Sequence, residues 1–124
     1  EVKAILDWEL STLGNPIADF TYHMMSWRLP AGAKGLGMMG SDLKSLNIPS
    51  ENEYAELYYK KTGREKIDNW DFYMAYNIFR LAGIAQGIVG RVRDGTASSS
   101  EAKNYEAFVP ILGKLGWSIV EGIN

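Results

Sequence analysis

The chain has no cysteine and a single histidine among its 124 residues. Without thiols there is no disulfide framework and no thiolate metal site, and one imidazole cannot build a histidine metal cluster. Long apolar runs are missing as well. The longest uncharged stretch, Leu81 to Gly90, is closed by Arg80 and Arg91 and reaches roughly half of what a membrane span requires. Charge of one sign is also scarce: the formal net charge is −2 and the basic residues form no block, which argues against a phosphate-backbone partner and hence against nucleic acid. The opening residues lack the basic region and apolar stretch of a signal peptide. Together with the missing cysteines, which suit a reducing compartment, this makes a cytoplasmic, membrane-free protein the expectation. No internal repeat or low-complexity tract appears.

What is present suits one helical domain. Hydrophobic residues make up 46% of the chain, and four Trp, seven Tyr and four Phe are available to fill a core. Asn15-Pro16 opens a helix expected to run to Trp27, with Ile17, Phe20, Met24 and Trp27 near one face. Leu29-Pro30 ends it. Residues 31–40 follow as a mobile connecting loop whose four glycines, Gly32, Gly35, Gly37 and Gly40, lack the strand and the Gly-Lys-Ser/Thr order of a phosphate cradle.

Ser50 with Glu53 predicts a capping box opening a second helix to Thr62, stopped by Gly63, with Tyr54, Leu57 and Tyr58 inward. A third helix is expected from Asn69 to Arg93. It is apolar nearly all round its middle and so expected at the centre of a bundle, with Gly83 and Gly87 admitting a neighbour closely. Ser98 with Glu101 suggests another capping box. A fourth helix follows, with Tyr105, Phe108, Leu112, Leu115 and Ile119 on its apolar face and Pro110 expected to kink it. The fold class is mainly α with one N-terminal strand, Val2 to Leu6, which has no partner strand to satisfy its backbone.

That strand would deliver Asp7 at its end, a common place for a carboxylate to meet a divalent metal and phosphate oxygens. The segment Leu6-Asp7-Trp8-Glu9-Leu10, with Gly14-Asn15-Pro16-Ile17-Ala18-Asp19 after it, resembles the metal-binding segment of the aminoglycoside phosphotransferase and choline kinase family. It looks most like the phosphotransferase domains associated with acyl-CoA dehydrogenases. Leu81-Ala82-Gly83-Ile84-Ala85-Gln86-Gly87 resembles a long helix of that subgroup. The resemblance is strong over residues 2–19 and 70–91 and weak between them.

The resemblance implies an ATP-dependent phosphotransferase, requiring Mg²⁺, that moves a phosphoryl group to the hydroxyl of a small molecule, a hydroxyacyl-CoA among the candidates. Asp7 would be the metal ligand, Glu9 an auxiliary one, and Asp19 a carboxylate that holds the catalytic loop. Without the resemblance, Asp7 is an ordinary turn residue and Asp19 a first-turn acid favoured by the helix dipole. Trp27, Arg28, Tyr73, Tyr76, Asn77, Arg80 and Gln86 are candidate substrate contacts. His23 is read as a packing residue, and Glu51, Glu53 and Glu56 as a solvated face.

The family's catalytic loop and nucleotide lobe precede the metal-binding Asp, and nothing in residues 1–124 matches them. The expectation is therefore that residues 1–124 are the C-terminal helical subdomain of such a kinase, inactive alone. Alone it would bind neither ATP nor Mg²⁺ tightly, and it would tend to self-associate through the surface facing the missing portion. The alternative is a non-catalytic helical interaction or scaffold domain of kinase-like descent.

Overall fold

A computed structural model describes residues 1–9, 11–32 and 37–123. Leu10 of the opening motif and Gly35 of the loop lie outside the described residues. Among the described residues four α-helices carry the fold: α1 (Pro16–Met24), α2 (Glu51–Thr62), α3 (Trp70–Arg93) and α4 (Tyr105–Ile123), with 3₁₀ turns at Met25–Trp27 and Ser100–Asn104. The mainly helical class expected from sequence is what forms.

Local chemistry explains the boundaries. Asn15 Oδ1 accepts the Ile17 N–H at 2.9 Å and Pro16 occupies the first turn, so α1 starts where its unpaired donors are met. Ser50 and Glu53 close a full capping box on α2, and Gly63 ends that helix in the left-handed region at φ 65°. The cap before α4 differs from expectation by one residue. Ser99, not Ser98, accepts the Glu101 N–H, at 3.2 Å, and a 3₁₀ turn precedes the helix. Pro110 is the sixth residue of α4, and the helix runs on through it.

α3 packs most extensively against α4, and α1 packs against α3. Between them sits a core of Met24, Met25, Leu29, Met74, Ile78, Leu81, Ala85, Phe108 and Leu112. Met24, Leu29, Met74, Ile78 and Leu112 are fully enclosed, and each contributes about 1.5–3 kcal/mol through burial. A second cluster, Ile17, Ala55 and Tyr59, joins α1 to α2. Stacked rings reinforce it: Phe20 lies on Tyr58 at 3.8 Å between centroids, and Trp27 on Tyr54 at 5.2 Å. In α2 the inward residues are therefore Ala55 and Tyr59. Tyr54 and Tyr58 are half-buried and Leu57 faces solvent, because α2 approaches its neighbours through stacked ring faces and not through an aliphatic stripe.

Three further expectations are corrected. The strand at Val2–Leu6 does not form: Val2, Ile5 and Leu6 are exposed, and no partner strand for it exists among the described residues to take up its backbone groups. The single β-contact described is a parallel bridge between Pro30 and Met39, which closes the base of the glycine-rich loop. Second, α3 is not enclosed on all sides: Phe72, Tyr76, Phe79 and Ile84 stand exposed. Third, Gly83 and Gly87 meet no neighbour. The close approach of α4 to α3 falls at Gly116, where a Cβ would lie 3.5 Å from Ile78 and Phe79 side-chain atoms.

Candidate functional site

The turn that carries Asp7 has an unusual backbone. Asp7 adopts φ 59°, a left-handed conformation that short polar side chains tolerate. Asp7 and Glu9 are both exposed, and Ser11 closes the following turn by donating from N and Oγ to the Trp8 carbonyl at 2.9 and 2.6 Å. Asp19 is exposed in the first turn of α1. No group of three or more His, Cys, Asp or Glu gathers to hold a metal among the described residues. Magnesium commonly takes only one or two protein carboxylates and completes its shell with phosphates and water. The hard oxygens of Asp7 and Glu9 fit that donor chemistry, provided the other ligands come from a nucleotide and from elsewhere in the polypeptide.

The stretch between Asp7 and Asp19 is tied to the core at one point. Asn15, while capping α1, donates through Nδ2 to the Tyr73 hydroxyl of α3 at 2.6 Å. Tyr73, a candidate substrate contact, is thus an anchor for the start of α1.

The other candidates are dispersed. Trp27 donates to the Pro49 carbonyl at 2.9 Å. Arg28 lies between Glu51 and Asp71, with N···O distances of 2.7 and 2.5 Å. Glu51 also accepts the Trp70 indole N–H at 2.7 Å. Burial opposes the Arg28 charge, but the hydrogen bonds and charges of the two acids prevail and raise its pKa above the ordinary value. Glu51 was expected on a solvated face and instead is a half-buried brace between α2, Arg28 and α3.

Arg80 carries a charge on an otherwise apolar stretch of α3 and so needs a partner; it finds one in the Tyr22 ring, a cation–π contact at 4.9 Å. Tyr76 and Gln86 are exposed on α3. His23 packs against Trp27 and Tyr54, with centroids 5.7 and 5.6 Å away.

A cavity of about 310 Å³ opens beside the Arg28 brace, lined among others by Glu51, Glu56, Tyr59, Lys66, Trp70 and Asp71. Burial pushes the Tyr59 hydroxyl pKa up, so it stays protonated. Three carboxylates against two cations make this wall a poor cradle for an anion. Of the proposed contacts, only Arg28 lines it.

Asn77, expected as a substrate contact, is corrected: its side chain is fully buried and holds α1, donating to the Ala18 carbonyl and to the equally buried Thr21 Oγ1, each at 2.8 Å. Its pairing with Thr21 is what sequence reading missed; the available signal was a lone Asn in the apolar run of α3 and a Thr on the buried side of α1.

No protein-family model matches the chain, and no solved structure matches it. It is 42% identical over 118 residues to acyl-CoA dehydrogenase family member 10 of Mus musculus, an alignment that takes in 94% of this chain and 11% of that protein. It is 34% identical over 116 residues to acyl-CoA dehydrogenase family member 11 of Homo sapiens, covering 93% of the chain and 15% of the relative. A plant relative, probable acyl-CoA dehydrogenase IBR3 of Arabidopsis thaliana, is 34% identical over 107 residues, again matching only 13% of its own length. The chain thus spans a small part of each relative, and it is a homologue of a short segment of acyl-CoA dehydrogenase family members 10 and 11.

Proposed function

We propose that this chain is the metal-binding and C-terminal helical part of a small-molecule phosphotransferase associated with acyl-CoA dehydrogenases. The observation that carries the reading is the segment from Asp7 to Asp19, with its resemblance to the aminoglycoside phosphotransferase and choline kinase family. The relatives' names, acyl-CoA dehydrogenase family members 10 and 11, support the association with acyl-CoA dehydrogenases. ATP and Mg²⁺ are the implied cofactors, and the acceptor is a small molecule bearing a hydroxyl, a hydroxyacyl thioester by the same association.

Bound Mg²⁺ would neutralise charge on the phosphates being transferred. Asp7 would hold it, with Glu9 in reach of the ion or its water. Asn15 and Tyr73 would fix the start of α1, and with it the position of Asp19 relative to a catalytic loop supplied by another part of the polypeptide. Residues 1–124 alone would carry no phosphotransfer activity.

A non-catalytic helical interaction domain is the second reading. It is favoured by Trp27, Arg28 and Tyr73, whose polar atoms are all engaged within the chain. Replacing Asp7 by Ala in the full-length protein separates the two. Loss of ATP-dependent phosphorylation of a hydroxyacyl-CoA, with unchanged circular dichroism, supports the phosphotransferase. A full-length protein that transfers no phosphate before or after the substitution leaves the scaffold reading standing.

A further inference from the structure

Two side chains of α3, Tyr73 and Asn77, stand one helical turn apart and hold the first turn of α1. The Tyr73 hydroxyl accepts from Asn15 Nδ2 at 2.6 Å, open to water. The other fastening is sealed: Asn77 donates to the Ala18 carbonyl and to Thr21 Oγ1, and solvent reaches neither Asn77 nor Thr21. It carries a penalty that an apolar pair would not. Asn77 Oδ1 is buried with no donor among the described residues, and an unmet buried acceptor opposes folding. Turning the amide over brings no relief, because Oδ1 would then face the Ala18 carbonyl. Thr21 is committed as well. Its hydroxyl proton lies between the Ile17 and Ala18 carbonyls, at 2.7 and 3.3 Å, which leaves a lone pair for Asn77.

Packing sets the rotation of α1 only loosely. Met24 and the adjoining Met25 share the core with Met74 of α3, and unbranched methionines accommodate many orientations. Hydrogen bonds are directional and weaken steeply off axis. One amide bound to residues 18 and 21 of the same helix therefore selects one rotation. Asp19 lies two residues from both Ile17 and Thr21, so it projects from the opposite side of α1, where it is exposed.

We propose that Asn77 and Thr21 form a clasp that fixes the rotation of α1 and so aims Asp19, which makes both of them positioning residues. A buried polar contact fixes register in this way at some cost in stability, as a single buried Asn does in coiled coils. The role of Asp19 in holding a catalytic loop rests on the phosphotransferase reading above; the rotation of α1 does not.

Asn77→Leu combined with Thr21→Val replaces both polar groups by apolar ones of similar shape and leaves nothing unmet. The urea midpoint should stay at or above the parent's. In the full-length protein the same pair should lower kcat for ATP-dependent phosphotransfer about tenfold or more, with KM for ATP and acceptor unchanged, because neither buried residue touches substrate. Thr21→Ser keeps the hydroxyl and should keep the rate. If the double variant folds poorly, Thr21→Val alone, which should lose part of the rate, gives the same comparison against Thr21→Ser. The rotation is read separately. The chain has no cysteine, so nitroxides on Asp19→Cys and Gln86→Cys report it by their distance distribution. That distribution should be narrow in the parent and shifted or broadened by the double substitution.

An unchanged label distribution overturns the proposal. So does a shifted distribution with kcat at the parent value, and so does a fall in kcat that only follows a lowered urea midpoint. A full-length parent that transfers no phosphate refutes the phosphotransferase reading instead, and the label distances then decide the clasp by themselves.

Discussion

Asn77 on α3 and Thr21 on α1 are joined by a 2.8 Å hydrogen bond between two side chains that solvent does not reach. The Thr21 hydroxyl in turn donates to the Ile17 carbonyl at 2.7 Å, and Asn77 also holds the Ala18 carbonyl. The Asn77 Oδ1 finds no donor among the described residues, so this polar contact secures α1 with one acceptor left unmet. Asn77→Ala removes both donated bonds and leaves a small void. Destabilisation of about 2–4 kcal/mol is expected, read as a lowered urea midpoint. Asn77→Asp should be worse, since it replaces the donor by a buried carboxylate facing two oxygens.

The Arg28 brace should be unequal in its two arms. The Glu51 side chain is 22% exposed and that of Asp71 is 50% exposed, so water screens the second pair more. Glu51→Gln is expected to cost about 1–3 kcal/mol and Asp71→Asn less than about 1 kcal/mol. Arg28→Met keeps the stem but leaves two acids facing each other, and its loss should exceed that of either acid variant. Chemical denaturation of the three variants at neutral pH ranks them.

Acid should weaken the start of α2. The Ser50 side chain, and then the Ser50 backbone N–H, bind the Glu53 carboxylate and hold its pKa below the ordinary value. A carboxyl whose pKa is lower in the folded state stabilises fully above its unfolded value, about 4.3. That contribution fades as pH falls through the folded value. The slope of stability against pH from 6 down to 3 should be shallower in Glu53→Gln than in the parent chain, as measured by urea melts.

Two glycines should respond in opposite directions to the same methyl group. At Gly37 a Cβ would run into the carbonyl oxygens of Leu29 and Pro30, which are backbone and cannot swing aside. Gly37→Ala is expected to destabilise by about 1–3 kcal/mol or more and to disturb the Pro30–Met39 bridge. At Gly113, inside α4, the added carbon meets nothing, and Gly113→Ala should stabilise by about 0.5–1 kcal/mol. Thermal melts of the two variants suffice.

Helix limits were legible in the sequence wherever a local device sets them. Asn15-Pro16, Ser50 with Glu53, Gly63 and Asp94-Gly95 act within a few residues of themselves, and the structure uses each at its expected place. The apolar face of α4 was legible for the same reason. In the candidate site, residue chemistry was readable but partnership was not. Arg80 could be seen to need a neighbour, yet Tyr22 could not be named.

Local sequence alone determined the mainly helical class, the caps and the inward faces of α1 and α4, because backbone donors and short-range periodicity act over one or two turns. Tertiary structure decided the rest. It turned Glu51 from a solvated acid into the brace of Arg28, paired Thr21 with Asn77, moved the close helix contact from Gly83 to Gly116 and left Val2–Leu6 unpaired. Each depends on which distant group arrives opposite. A strand needs a second strand, an ion pair needs its counter-charge, and a glycine is a contact only where another helix comes to meet it.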